Sequence, residues 1–471
     1  MSQADYPRVM IAAPKSGSGK TSLVCGLLKL LMKTGKRPVS FKCGPDYIDP
    51  MFHRRVLGIP SWNLDTFFTD GETVCSLMAA HAGEISVIEG VMGFFDGLGG
   101  TSLRASSYEV AAATETPVIL VVDVKGMSRS VVPLLKGFAG YGDRKLLRGV
   151  ILNRVSPMLY PAMKAMIEAE TDLAVLGYLP VTPHADWGSR HLGLVQADEI
   201  TDFRDKIEAL SCELEKTLDL EALLAIAAGA PDLPAKTADS RKDVSAGLRP
   251  DEMQPPLPVR IGVARDEAFT FYYEENLSML EALGAELVPF SPLRDKAIPD
   301  VDGLLFGGGY PELHASALEA NESMRRSVRE AALADMPILG ECGGFMYLED
   351  SLTLEGRCYQ MAGVLTGGTE MKERLVRFGY VTLTAATDEA LYLPKGESIR
   401  AHEFHYFDST DNGSAFTAVK PSGRASWPCM RVFRQVLAGY PHLYYASNPA
   451  FAANFVAACR RRKESRTEVI H

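Results

Sequence analysis

Short runs of β-branched and apolar residues alternate with helix-forming stretches along most of this chain. This alternation limits the possible folds more than any other feature of the sequence. A helical stretch such as SLVCGLLKLLMKTG, which ends in Gly35, separates one strand-like run from the next. The pattern predicts a parallel sheet covered by helices on both faces. The predicted strands of the N-terminal half are RVMIAA, RPVSFKC, ISVIEGV, PVILVVDV, LRGVILNRV and AVLGYLP.

The alternation stops between Ala230 and Pro258 and then begins again. This segment contains six prolines, several charges and hardly any large apolar residue, so it has the composition of an exposed linker. Beyond it, the runs VRIGVARD, AELVPF, VDGLLFGGG and MPILGECGG resume the strand pattern. We therefore predict two α/β domains, at 1–229 and 259–460. The linker is 230–258, and the charged tail 461–471 is interpreted as a solvated helix end.

Charge and composition exclude several classes of protein. The 471 residues include 49 Lys and Arg against 59 Asp and Glu, a formal net charge of −10, which argues against a nucleic-acid partner. Neither a signal-peptide pattern nor an apolar run of membrane-spanning length is present, so no membrane association is expected. The eight cysteines form no C-x-x-C pair. They indicate reduced thiols and a cytoplasmic protein.

A glycine-rich loop connects the first predicted strand to the first helix. Its sequence PKSGSGKTS fits K-x-G-x-G-K-T, a variant phosphate loop in which Lys15 precedes the glycines. The glycines allow backbone N–H groups to point at phosphate oxygens, Lys20 would reach the β- and γ-phosphates, and Thr21 would bind Mg²⁺. Asn153, at the end of a later strand, could offer its amide to both edges of an adenine, although asparagine is equally common in turns. The predicted ATP-binding residues are Lys15, Gly17, Ser18, Gly19, Lys20, Thr21, Ser22 and Asn153.

Carboxylates at the ends of two other predicted strands are candidate ligands. Glu89 ends SVIEGV beside glycines, where a carboxylate is well placed for Mg²⁺ or a bound water, with a surface glutamate as the alternative. The segment KCGPDYIDP brings Lys42, Asp46 and Asp49 into one short loop. Two carboxylates three residues apart could share a metal or hold a substrate, and ordinary turn-forming residues are the competing explanation.

The second half contains a predicted nucleophile elbow. Glycines flank Cys342 in MPILGECGGFMYL at the spacing of a sharp strand-to-helix turn, and a helix N-terminus there would favour the thiolate. The glycines that end VDGLLFGGG could form an oxyanion hole, for which Gly308 and Gly309 are the candidates. The candidates for the general base are His402, His405 and His442, whereas His314 begins a predicted helix and is less favoured. Spacing alone does not choose among the three, and a buried core histidine is the alternative for each. Together the elbow, the glycines and a histidine indicate thiol-dependent acyl transfer.

Taken together, the two halves resemble the cobyrinic acid a,c-diamide synthase family, ATP-dependent glutamine amidotransferases of cobalamin biosynthesis. The resemblance runs from about Arg8 to about Cys459. It implies a dethiobiotin-synthetase-like phosphate-loop NTPase domain followed by a class I glutamine amidotransferase domain, both α/β. Besides the phosphate loop, the motifs that carry it are KCGPDYIDPMFH, NLDTFF, VIEGVMGFFDG, RHLGL, FSPL, GGGYPEL, GECGGFMYL, AHEFHY and HLYYASNP.

The resemblance also implies roles for individual residues. Cys342 would attack the γ-amide of L-glutamine, and His442 matches the family's catalytic histidine. The ammonia would then reach the first domain, where ATP and Mg²⁺ activate the a and c carboxylates of cobyrinate as acyl phosphates. The implied metal ligands are Thr21, Asp46 and Glu89, and the implied substrate residues are Lys42, Tyr47 and Asp49.

Two positions depart from the expected patterns. Most class I amidotransferases have a glutamate two residues after the histidine, and here that residue is Tyr444, so nothing in the sequence explains what orients His442. Lys15 stands where many family members carry a small residue, and it either contacts a phosphate or is solvated.

Some alternatives stay open. Hydrogenobyrinate or nickel-sirohydrochlorin could replace cobyrinate as the substrate, and a homodimer is possible. A switch ATPase of the septum-positioning type would explain the phosphate loop but not the elbow. Because the chain is acidic yet would bind polyanions, we expect a local basic cluster of Lys15, Lys20, Lys42, His53 and Arg54.

Overall fold

The structure is a computed structural model of the chain and describes residues 6–142, 144–185, 197–234 and 258–468. The chain divides into two compact units, residues 1–241 and 242–471. Most of the predicted linker and the RHLGL motif lie outside the described residues.

The first unit is built from seven strands and eight α-helices within its described residues. The strands are β1 (Arg8–Ala12), β2 (Pro38–Cys43), β3 (Ser61–Leu64), β4 (Ile85–Glu89), β5 (Val118–Asp123), β6 (Leu147–Asn153) and β7 (Ala174–Leu179). The helices are α1 (Lys20–Lys33), α2 (Ile48–Phe52), α3 (Gly71–His81), α4 (Ser107–Ala113), α5 (Val131–Gly140), α6 (Tyr160–Glu170), α7 (Ala197–Thr217) and α8 (Leu220–Ala228).

The seven strands form one sheet in the order β3-β2-β4-β1-β5-β6-β7, with every neighbouring pair parallel. Successive side chains of a strand point to opposite faces, and β1 buries both sets. Val9 and Ile11 pack with apolar residues of α1 and α7, whereas Met10 and Ala12 pack in a second core on the other face. The predicted parallel sheet with two covered faces is confirmed. All six predicted strands are present, and β3 was not predicted.

The second unit combines a sheet of the same kind with antiparallel structure. Its strands are β8 (Val259–Ala264), β9 (Ala285–Phe290), β10 (Gly303–Phe306), β11 (Ile338–Glu341), β12 (Glu349–Leu354), β13 (Arg357–Gln360), β14 (Leu365–Met371), β15 (Arg377–Ala385), β16 (Ser398–His405), β17 (Phe407–Ser409), β18 (Phe416–Val419), β19 (Ser426–Cys429), β20 (Arg431–Phe433), β21 (Val436–Gly439) and β22 (His442–Leu443). Its helices are α9 (Glu274–Ala282), α10 (Ala315–Ala320), α11 (Glu322–Leu333), α12 (Gly343–Leu348) and α13 (Pro449–Glu468).

The central sheet of this unit has the order β20-β21-β11-β10-β8-β9 and is parallel except for its β20 edge. Two further sheets, β13-β12-β14-β17 and the antiparallel β19-β18-β15-β16-β22, complete the unit. The second α/β domain is therefore confirmed, and the sequence-based description omitted its antiparallel part. Strand β22 pairs with β16 so that His442 lies opposite His402, which links the antiparallel sheet to the site described below.

The charged C-terminal residues continue a helix. Helix α13 begins at Pro449 and runs to Glu468, so most of the predicted tail prolongs a helix that starts in the core. Arg466 donates to Asp300 at 3.0 Å, which ties the end of this helix to the unit. Among the described residues, no helix combines the length and apolarity that a bilayer crossing requires.

A fully buried arginine ties the start of β1 to distant main chain. Arg8 donates to the Thr114 carbonyl at 2.7 Å and 3.1 Å and to the Pro231 carbonyl at 2.6 Å. Burial lowers the pKa of Arg8 to about 10, so the guanidinium stays charged at neutral pH. It satisfies carbonyl groups that an apolar residue would leave without a donor.

We predict that Arg8→Met lowers the free energy of unfolding by about 1 to 3 kcal/mol, because the buried carbonyl of Thr114 loses its donor. Urea unfolding followed by circular dichroism measures the change. Arg148→Met, at an exposed position of β6, is the matched control and should leave stability nearly unchanged. Equal effects of the two substitutions would contradict this role for Arg8.

Candidate functional site

The phosphate loop lies between β1 and α1, as its sequence predicted. Gly17 and Gly19 have φ of 74° and 89°, the left-handed conformation that glycine tolerates best. The loop is closed by a hydrogen bond from Ser18 Oγ to the Lys15 carbonyl at 2.9 Å. The N-terminus of α1 points its first N–H groups towards the loop, an arrangement that suits phosphate.

Other side chains of the loop have specific partners. Lys20 is buried and donates from Nζ to the Met92 carbonyl at 2.5 Å. Ser22 donates to the Ala185 carbonyl at 3.0 Å, so its hydroxyl stabilises a neighbouring segment in this structure. Lys15 is exposed, which leaves its ammonium accessible to a bound anion.

Asn153 contacts the phosphate loop through its side-chain amide. Its Nδ2 donates to the Ser18 carbonyl at 2.8 Å, and a Cβ on Gly19 would lie 2.3 Å from this nitrogen. One hydrogen of the amide therefore holds the phosphate loop, and a role of Asn153 in adenine binding stays a prediction. Asn153 Oδ1 is buried without a hydrogen-bond partner among the described residues.

Arg154 is a loop contact that sequence reasoning missed. Its Nη2 lies 3.4 Å from the Gly17 carbonyl, and its Nε donates to Asp123 Oδ1 at 2.9 Å. Asp123 and Asn153 are opposite each other in the β5–β6 pairing, so the two strands together place the arginine beside the loop. Arg154 has a φ of 60°, which is unusual for a residue other than glycine. The sequence does not reveal this backbone conformation, so it gave no indication of the contact with the loop.

Glu89 is the centre of a buried charge cluster at the carboxyl end of β4. Its Oε1 accepts from Thr21 Oγ1 at 2.7 Å and from Lys42 Nζ at 2.8 Å. Lys42 also lies 2.5 Å from Asp49 Oδ2. Burial by itself would lower the pKa of Lys42, but Asp49 and Glu89 outweigh it, so the pKa is raised and the lysine stays charged.

The expected basic cluster is in fact of mixed charge. His53 is buried 3.9 Å from Glu89 Oε2, and burial lowers its pKa to about 4, so the ring is neutral. Arg54 donates to the Ser61 carbonyl at 2.6 Å. Lys42 is matched by two carboxylates.

Thr21 and Glu89 have the chemistry that Mg²⁺ requires. A hydroxyl and a carboxylate lie 2.7 Å apart beside the phosphate loop, and Mg²⁺ binds such oxygens together with phosphates and water. Asp46 lies farther along the loop that follows β2, where its Oδ1 accepts from the main chain of Ile48 at 2.8 Å. Burial and Asp49 raise the pKa of Asp46 to about 6. The described residues contain no group of three or more His, Cys, Asp or Glu that could hold a metal by itself.

The second unit has a strained cysteine at the carboxyl end of β11. Cys342 has φ of 49° and ψ of −106°, the kind of backbone expected at a nucleophile elbow, and α12 begins at the next residue. Its N–H donates to the Gly439 carbonyl at 2.8 Å. Close packing enforces the turn, because a Cβ on Gly344 would lie 2.3 Å from the Phe306 carbonyl oxygen.

The two candidate oxyanion glycines lie between the cysteine and one histidine. A Cβ on Gly343 would be 3.1 Å from the Gly309 nitrogen, and a Cβ on Gly308 would be 2.3 Å from His442 Cε1. The structure thus brings Gly308, Gly309, His442 and the elbow together. This placement supports His442 as the base and could not be obtained from sequence spacing.

Two of the other candidate histidines, His402 and His405, lie close enough to His442 to affect its pKa. His402 is opposite His442 on β16, and the His405 ring stacks on Tyr440 at 3.9 Å. His314 ends a short 3₁₀ turn before α10. Burial, followed by His402 and His405, lowers the pKa of His442 to about 3, so its ring is neutral in the resting protein.

The predicted low thiol pKa of Cys342 is wrong for this structure. Burial raises the pKa of the thiol well above its ordinary value, and Glu312 adds to the effect. The helix that follows has only six residues, so it offsets little of the cost of a buried thiolate. The Cys342 thiol is therefore protonated in the resting protein.

The fold and the two sites define a class: a nucleotide-binding domain joined to a glutamine amidotransferase domain. The description "CobQ/CobB/MinD/ParA nucleotide binding domain" matches residues 9–195, and "CobB/CobQ-like glutamine amidotransferase domain" matches residues 260–450. These two families together cover most of the chain.

Full-length relatives identify the family. The chain is 40% identical to the cobyrinate a,c-diamide synthase of Listeria innocua over 462 residues, which is 96% of this chain and 100% of that protein. It is 39% identical to the protein of the same name from Caldanaerobacter subterraneus over 458 residues, 96% of this chain and 98% of the relative. The chain belongs to the cobyrinate a,c-diamide synthase family of glutamine-hydrolysing carbon–nitrogen ligases.

We predict that Glu89→Gln lowers ATP-dependent amidation by about 10- to 100-fold, because Lys42 and Thr21 lose their shared carboxylate. Glutamine hydrolysis, assayed separately as glutamate release, should keep its rate. Glu84→Gln is the matched control, since Glu84 is an exposed glutamate just before the other end of β4. Equal loss of both activities in the Glu89 variant would contradict separate sites.

Proposed function

We propose that this protein converts two carboxylates of cobyrinate, a and c, into amides at the expense of ATP and L-glutamine. One observation carries the proposal: a single chain combines a phosphate loop beside a buried carboxylate with a strained cysteine beside a neutral histidine. Relatives that bear the name cobyrinate a,c-diamide synthase match it over nearly their full length.

The second unit would release ammonia from glutamine. Cys342 attacks the γ-carbonyl of glutamine while His442 takes the thiol proton. The N–H groups of Gly308 and Gly309 are the donors for the oxyanion that forms. The proton passes to the leaving nitrogen, ammonia departs, and a water molecule hydrolyses the thioester to glutamate. The buried setting favours this order, because a thiolate there would be costly before substrate binds.

The first unit would activate the acceptor, because a free carboxylate does not react with ammonia. A carboxylate oxygen of the tetrapyrrole attacks the γ-phosphorus of ATP, ADP leaves, and an acyl phosphate forms. Ammonia then attacks the acyl carbon and inorganic phosphate leaves. Each amide consumes one ATP and one glutamine.

The side chains of the first unit support this role. The loop N–H groups with Lys20 would hold the phosphates, and Lys15 and Arg154 are placed at its rim. Mg²⁺, held by Thr21 and Glu89 together with phosphate oxygens, would neutralise charge on the transferring phosphoryl group. Asp46 is a further candidate ligand. The substrate residues we propose are Lys42 of β2, Tyr47 directly before α2, and Asp49 within α2.

Hydrogenobyrinate and nickel-sirohydrochlorin remain alternative acceptors in the same reaction, since no described contact distinguishes these rings. A switch ATPase is disfavoured, because it would leave the elbow at Cys342 and the amidotransferase match of residues 260–450 without a role.

The test is incubation of the protein with each of the three tetrapyrroles, ATP, Mg²⁺ and glutamine, followed by mass spectrometry. We expect two carboxyl-to-amide conversions on cobyrinate and release of ADP and glutamate in equal amounts. Conversion of another ring alone would replace cobyrinate as the substrate. ATP hydrolysis with no amidation of any ring would overturn the proposal.

A further inference from the structure

The second unit contains a cavity of about 320 Å³ that the proposed reaction does not use. It is lined by residues of β15, β16, β17 and β19, by the segment that follows β17, and by the residues between β21 and β22. Cys342, Gly308 and His442, which form the thiol site, are not among the lining residues. The volume is at the lower end of small-molecule sites, so it suits a ligand much smaller than a nucleotide or a tetrapyrrole.

The alternation of side chains along β16 separates this cavity from the thiol site. Glu403 and His405 are two residues apart, so their side chains share one face of the strand, and both line the cavity. His402 belongs to the other face, and His442 lies directly opposite His402 in the pairing with β22. The cavity and the proposed base of glutamine hydrolysis therefore lie on opposite faces of one strand.

Two deeply buried side chains bring acceptors without a donor to this cavity. Glu403 is 1% exposed, and its Oε2 has no hydrogen-bond partner among the described residues. His405 is 6% exposed, and its Nδ1 lies 2.6 Å from the Phe407 carbonyl, which can only accept, so Nδ1 carries the proton. Burial lowers the pKa of His405 to about 4, so the ring is neutral and Nε2 is an acceptor. This Nε2 is likewise unpartnered within the part of the chain that the structure describes.

Asn412 supplies a third acceptor of the same kind. Its Nδ2 donates to Asp408 Oδ1 at 2.9 Å, whereas its own Oδ1 is buried with no partner in the described ranges. Buried polar atoms are normally hydrogen-bonded, so three unmatched acceptors around one cavity indicate a ligand that donates in several directions. A primary ammonium group has three N–H donors and no acceptor, and its positive charge complements Glu403.

The cavity also offers a guanidinium group. Arg377 lies directly opposite His405 in the β15–β16 pairing and lines the same space. Its Nη1 donates to the Val376 carbonyl at 2.9 Å, and the group lies over the Trp427 ring at 4.7 Å. Because a guanidinium has five N–H donors, Arg377 can bind a carboxylate in addition to these contacts.

The rest of the lining is mostly apolar or already paired. Asp408 accepts from Asn412, and Asp411 lies 3.2 Å from Arg431 Nε. Apolar and aromatic groups form the other walls, contributed by Trp427, Pro428, Cys429, Tyr440 and Pro441. A ligand would therefore meet acceptors for an ammonium group, donors for a carboxylate, and an apolar surface.

We propose that this cavity binds a free apolar α-amino acid as its zwitterion, with the ammonium group towards Glu403, His405 and Asn412 and the carboxylate towards Arg377. The site is additional to the one that would hydrolyse glutamine, so the inference goes beyond the proposed function and is independent of which tetrapyrrole is amidated. Burial raises the pKa of Glu403 to about 7, although Lys420 and Arg377 oppose this shift. An ammonium group beside Glu403 would favour its charged form.

The experiment measures binding to the full-length protein by isothermal titration calorimetry. The ligands are L-leucine, L-valine and L-phenylalanine. Each is compared with the amine that lacks its carboxylate and with the acid that lacks its ammonium group. We expect at least one of the amino acids to bind at one molecule per chain. Its amine and its acid should each bind about 10-fold more weakly or worse, because each loses a charged contact.

Two substitutions and their controls locate the binding. Glu403→Gln and Arg377→Met should each raise Kd for the amino acid about 10-fold or more, with KM for glutamine nearly unchanged. Asp302→Asn is the control for Glu403→Gln, because Asp302 is a buried carboxylate of the same unit that does not line the cavity and accepts from the Arg260 N–H at 2.9 Å. Arg424→Met, at an exposed position before β19, is the control for Arg377→Met. Both controls should bind like the wild type.

Four outcomes would overturn the proposal. Binding of none of the three amino acids would mean that water alone satisfies the acceptors. Equal binding of the amino acid and its amine would remove the role of Arg377. An unchanged Kd in Glu403→Gln, with competitive inhibition of glutamine hydrolysis, would place the ligand at the thiol site. An equal loss in Asp302→Asn would reduce the effect to general destabilisation. Because binding is measured without ATP or a tetrapyrrole, a failure here is separate from a failure of the proposed function.

Discussion

The carboxyl ends of neighbouring parallel strands lie at one edge of a sheet, and the candidate chemistry of this protein depends on that constraint. In the first unit, β1 leads into the phosphate loop, β4 ends at Glu89 and β6 ends at Asn153, so groups far apart in the sequence meet. In the second unit, β10 leads to the glycines and β11 to Cys342, while His442 follows the end of β21. The same geometry thus builds a nucleotide site in one half and a thiol site in the other.

Burial then decides the protonation of each site. In the first unit, Lys42 keeps its charge because Asp49 and Glu89 are within 2.5 Å and 2.8 Å of it. In the second unit, burial raises the pKa of the Cys342 thiol and lowers the pKa of His442 to about 3, so the thiol and the ring are both neutral in the resting protein.

The features that the sequence predicted correctly are the strands and loops that local residue patterns determine. The β-branched runs located the strands of the first sheet, and Lys15–Ser22 and the glycines around Cys342 identified both loops. Strand β3 was missed because it has only four residues. Antiparallel strands such as β15 were missed because they alternate buried with more exposed residues and so contain no continuous apolar run. His442 could be chosen only through the family resemblance. Asn276 Nδ2 donates to the Leu443 carbonyl at 2.7 Å across 167 residues of sequence, and no local pattern indicates such a contact. The raised thiol pKa of Cys342 depends on tertiary burial, which no motif encodes.

The central claim is that one unit releases ammonia and the other uses it. Replacement of Cys342 by alanine tests it most directly, with amidation of the tetrapyrrole measured once with glutamine and once with ammonium chloride, both with ATP. The account predicts that glutamine no longer supports amidation, whereas ammonium supports it at the wild-type rate. Loss of both activities in a folded Cys342→Ala protein, or unchanged amidation with glutamine, would contradict it.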